Sequence, residues 1–87
     1  MSDKLHFEIY KLIGDSWQMD GVHKSREGAI SIAKKLLKQQ GILAVDVSKE
    51  EMKDDGTFQS ISVFGRGKDG EYISRFADEK KKSEKKI

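Results

Sequence analysis

The arrangement whose spacing comes nearest to known chemistry is Gly65-x-Gly67-x-x-Gly70. Letter for letter it matches the glycine fingerprint that brings a helix N-terminus against a pyrophosphate. That fingerprint works only inside a strand, glycine turn and helix of about thirty residues. Here the glycines run into Glu71-Tyr72-Ile73-Ser74-Arg75-Phe76, which is strand-like, and only 17 residues follow Gly70. No second strand or ribose-binding acid fits in that length, so the stretch reads as a turn. Arg66, Lys68 and Arg75 around it remain candidates for contact with a phosphate or carboxylate.

The other chemistry-bearing types are weaker. Asp54-Asp55-Gly56 lacks the alternating acids and the twelfth-position Glu of a calcium loop, and turn chemistry accounts for it. His6 and His23 are the only imidazoles, and with no cysteine in the chain they make no metal-ligand pattern. Asp20 and His23 flank a helix start, where such residues cap and solvate. Ser16, Ser25, Ser31 and Ser60 have no Ser-x-x-Lys or Gly-x-Ser-x-Gly context. No catalytic, cofactor-binding or metal-binding residue is assigned, and the expectation is a chain that is not an enzyme.

Binding is left. Lys34, Lys35 and Lys38 line up on one helix face and, with Arg66, Lys68 and Arg75, are the candidate contacts for an anion or nucleic acid. Tyr10, Trp17, Phe58 and Phe64 are the aromatic residues available for a protein interface.

These residues must be positioned by a small domain. With 87 residues, 36% of them hydrophobic and 37% charged, the core is compact and the surface strongly charged. The net charge of +2 is unevenly placed. Residues 1–77 hold 12 Lys/Arg against 12 Asp/Glu, while residues 78–87 hold five Lys against three acids. The expectation is one α+β domain over 1–77 and a disordered lysine-rich tail over 78–87. The absence of cysteine gives no sign of an oxidising compartment, and no run approaches the ~20 apolar residues of a membrane span. A cytoplasmic chain with no membrane contact is expected.

One long helix is predicted over Ser25–Gln40, with Ser25 as N-cap and Gly41 closing it. Ala29, Ile30, Ile32, Ala33, Leu36 and Leu37 fall on one side of it and the lysines opposite. Leu5–Lys11 alternates as a strand, and Trp17–Asp20 forms a second across the Gly14-Asp15-Ser16 turn. Ile42–Ser48 resumes the alternation, with Leu43, Val45 and Val47 inward and Asp46 and Ser48 outward. Thr57–Phe64 is a strand with claims on both faces, and Tyr72–Phe76 a last strand returning through Asp69-Gly70. The order β-β-α-β-β-β makes a two-layer sandwich, a mostly antiparallel sheet covered on one face by a single helix.

Trp17-x-x-x-Gly21, Ser25-Arg26-Glu27-x-Ala29-x-x-x-Ala33-x-x-Leu36, Ala44-Val45-x-Val47 and Phe64-x-Arg66-Gly67 together resemble small uncharacterised bacterial α+β proteins. The shared features are a Trp-Gly turn and a Ser-Arg-Glu-x-Ala helix start, and the resemblance implies no activity. Ser25–Val47 is also similar in style to the peptidoglycan-binding sporulation-related repeat, but no second helix follows the strands. That likeness is one of shape and carries no function. The sequence therefore leads to a small non-enzymatic module for protein contacts or self-association, with accessory nucleic-acid binding as the alternative. A regulatory domain for a small molecule, with a pocket near Trp17 or the glycine loop, ranks third.

Overall fold

A computed structural model describes residues 5–74. The order is β1 (Leu5–Ile13), β2 (Ser16–His23), α1 (Arg26–Leu37), β3 (Ala44–Met52) and β4 (Phe58–Gly67). The strands form one sheet in the order β2-β1-β3-β4, every neighbouring pair antiparallel. β2 and β3 thus run parallel across β1, and α1 makes the crossover between them, packing on β1, β3 and β2. No helix among the described residues is long and apolar enough to cross a membrane. The proposed lysine-rich tail, Arg75 and Phe76 lie outside the described residues.

The helix starts where its period and its Ser25 cap place it, but it ends at Leu37 with Lys38 as C-cap, short of the expected Gln40 and Gly41. Ser25 is extended and its hydroxyl accepts from the Gly28 N–H at 3.0 Å, satisfying one of the donors a helix start leaves open. The imidazole of His23 lies over Gly28, where an added Cβ would meet the ring at 2.3 Å. At the other end the Lys68 ammonium donates to the carbonyls of Leu37 and Gln39. A cation there answers both the open acceptors and the helix dipole. Ala29, Ala33 and Leu36 are buried and meet Phe7, Ile9, Ile42, Val45 and Val47. Leu43 points out instead of in, because β3 begins only at Ala44, and Ile42 takes its place in the core.

Two further expectations are corrected, and one point the sequence left open, the inner face of β4, is answered. No fifth strand forms over the described part of 72–76: only Gly67 N–H to Glu71 and Ile73 N–H to Gly65 tie the returning chain to β4. The glycines explain why. A Cβ on Gly65 would sit 2.0 Å from the Ile73 carbonyl oxygen, and one on Gly67 would meet Glu71 and Ile73. Bare backbone lets residues 71–74 close over the end of β4, and this close approach is what the spaced glycines serve. Second, β4 has no single inner face. The register slips at Val47/Ser48, leaving Val63 as an extra residue, so Val63 and Phe64 both pack on the core. Third, Asp46 and Ser48 are fully buried although they lie on the face away from the helix.

Candidate interaction surface

The register sets out the face opposite α1. From β1 it presents His6, Glu8 and Tyr10; from β3, Glu50, Ser48 and Asp46; from β4, Ser60 and Ser62. The pairs His6–Glu50, Glu8–Ser48 and Tyr10–Asp46 put each carboxylate opposite an imidazole or hydroxyl, never opposite another carboxylate. Tyr10 donates to Glu8 at 2.7 Å, and the His6 ring lies 3.0 Å from the other Glu8 oxygen. Ser48 donates to Glu50 at 2.7 Å, and Ser60 donates to the same oxygen. Ser62 donates to Asp46 at 2.6 Å and Ser74 at 3.4 Å. This polar lattice is bonded within itself, and Asp46, Ser48, Glu50 and Ser74 are buried in it. Its sequence signal is the alternation His-x-Glu-x-Tyr, Asp-x-Ser-x-Glu and Ser-x-Ser, which alone reads as a solvated face. Among the described residues no group of three or more His, Asp or Glu side chains is placed to hold a metal ion.

The four aromatic candidates do not form one patch. Tyr10 belongs to the lattice, and Trp17 pairs with Leu12 at one end of the sheet. Phe58 begins β4 at the opposite end and opposite edge, 61% exposed. Phe64 faces α1, with the Lys34 ammonium 5.9 Å and the Arg66 guanidinium 5.2 Å from its ring centre. That contact and the Lys68 bonds bring Lys34, Arg66 and Lys68 to the C-terminal half of α1, where Lys35 and Lys38 are exposed. Arg66 also donates to the Gly65 carbonyl at 2.7 Å. Arg75 is outside the described residues.

The sheet has two edges, and they differ. β2 exposes Met19 and Val22, but its middle is bulged at Asp20, which pairs with Lys11 at 3.1 Å. A bulge, a charge and Gly21 are the devices that blunt an edge against pairing. β4 has them only at its far end. Gly65 and Gly67 are covered by residues 71–73, and the bulge lies at Val63. Before it runs Thr57-Phe58-Gln59-Ser60-Ile61-Ser62, with no charge, no Gly and no Pro, and Phe58–Ile61 all exposed.

The direction of its backbone groups follows from the hydrogen bonds at the β3–β4 turn. Lys53 N–H bonds to the Thr57 carbonyl at 2.8 Å, so Thr57 faces β3, and by alternation Gln59 and Ile61 do too. Phe58, Ser60 and Ser62 then turn their N–H and C=O outward, and among the described residues no backbone group pairs with them. Sequence reasoning found Phe58 but not this edge, since periodicity does not tell which strand ends a sheet.

Compared with protein-family models, curated proteins and solved structures, the chain matches none.

Proposed function

We propose that this chain is a small protein-interaction module that takes an extended segment onto the open edge of β4 and performs no catalysis. The observation that carries the reading is the stretch Phe58–Ser62: uncharged and β-prone, exposed over Phe58–Ile61, with outward backbone donors and acceptors among the described residues. An added strand gains main-chain bonds from such an edge and specificity from alternate side chains. The lattice behind it supports the role, because Ser60 and Ser62 are held from β3 by Glu50 and Asp46, which fixes their side chains along this edge. A photo-crosslinking residue at Gln59 should give covalent adducts with another protein chain in cells, and one at Ser31, exposed on the helix, should not. Adducts at Ser31 alone would contradict the reading.

The gathering of Lys34, Arg66 and Lys68 beside the exposed Lys35 and Lys38 supports a second reading, an accessory nucleic-acid binder. It ranks below the first because Arg66 and Lys68 already satisfy backbone carbonyls. It requires salt-sensitive retention on single- or double-stranded oligonucleotides, and no retention at low salt would exclude it.

A further inference from the structure

We infer that the segment β4 takes is β4 of a second copy of this chain, paired antiparallel about a two-fold axis at Ser60. This rests on the strand-addition reading above. The outward residues Phe58, Ser60 and Ser62 are alternate, so a self-pairing ladder must set outward groups against outward groups. Centring on Ser60 uses all three: Phe58 meets Ser62 of the second copy and Ser60 meets its equivalent. Centring on Phe58 or Ser62 leaves some of them unpaired.

Charge selects the same occupant. The ladder itself contains no charged residue, so a second copy brings no like charge opposite another. Beyond the ladder the register carries the acidic hairpin tip of each copy, Asp54 and Asp55, toward the end of β4 where the other holds Arg66. Glu71 does not oppose this, because it lies against Gly67, on the other face of the sheet from Arg66. The contact is self-complementary and closed, as a two-fold dimer requires. The open stretch spans only ~17 Å at about 3.4 Å per residue, so the dimer is weak and its population follows concentration.

The register also predicts a rescue. In this pairing Gln59 of one copy lies beside Ile61 of the other. Within one copy, Gln59 neighbours Glu51 and Ile61 neighbours Lys49, so Gln59→Lys and Ile61→Glu each suit the monomer. Sedimentation of the full chain over a wide concentration range should show a monomer–dimer equilibrium. Either single substitution should raise the dissociation constant at least tenfold, and the double variant, which pairs Lys with Glu across the axis, should recover most of that loss.

A monomer at every concentration overturns the second-copy assignment. So does a dimer that neither single substitution weakens, or one that the double variant fails to restore. Adducts from Gln59 to a different protein, with a strictly monomeric chain, would overturn this inference while leaving strand addition standing. Absence of both adducts and self-association would remove the two together.

Discussion

Glu50 shows how single side chains hold this edge in place. It is buried, and it accepts from Ser48 on its own strand and from Ser60 across the ladder. Hydrogen bonds to a charged acceptor contribute about 1.5–3 kcal/mol, and stranding a buried donor costs a similar amount. Ser60→Ala should lower stability by about 1 kcal/mol, since Ser60 is the exposed partner, and Glu50→Ala by about 2 kcal/mol or more. Urea melts of both variants and of their combination check this, and the double variant should lose less than the two singles added. A second residue gives a pH signature. The Asp55 carboxylate accepts from the Thr57 N–H at 3.0 Å and its hydroxyl at 2.7 Å, and the backbone bond first holds its pKa below the ordinary aspartate range. A carboxylate whose folded pKa is depressed contributes stability above its unfolded pKa and loses it as pH falls through the folded one. Asp55→Asn should remove that part of the acid limb in a pH series of melts.

At the scale of elements, α1 is the lid of the core. Leu36 is buried against the sheet while Lys35 faces away. Leu36→Asp would bury an unpaired carboxylate at a cost of several kcal/mol, enough to unfold a domain this small. Lys35→Glu should change the melting temperature only slightly, through the helix dipole. Circular dichroism decides both, and an unfolded Lys35→Glu would mean that the two faces of the helix are misassigned. The helix was legible because its period and its Ser25 cap agree with one another, while its end was placed too late: it stops at Leu37 with Lys38 as C-cap, and Gly41, at φ +92°, serves the turn that follows. The strands were less so. Alternation tells which residues share a face but not what covers that face, so Asp46 and Ser48 read as solvated when they are buried. A β-prone run such as Tyr72-Ile73 reads as a strand, yet the bare backbone at Gly65 and Gly67 draws the chain over β4 before a full ladder can form.

Across the whole molecule, the helix side and the lattice side are both held by contacts already made, and among the described residues the lower edge of β4 turns outward backbone groups that no other backbone group meets. The candidate lysines and aromatics could be named from residue type, but their grouping depended on strand order, which no local pattern carries. Lys34 and Arg66 meet over Phe64 only because β4 lies beside β3, on the side where α1 ends. Amide hydrogen exchange, read residue by residue in dilute and in concentrated solution, tests the central claim most directly. The N–H groups of Phe58, Ser60 and Ser62 should exchange quickly when dilute and slow by tenfold or more when concentrated, while Gln59 and Ile61 stay protected throughout. If those three are already protected in dilute monomer, or remain fast at every concentration and with every bound protein, the β4 edge is not the surface through which this chain works.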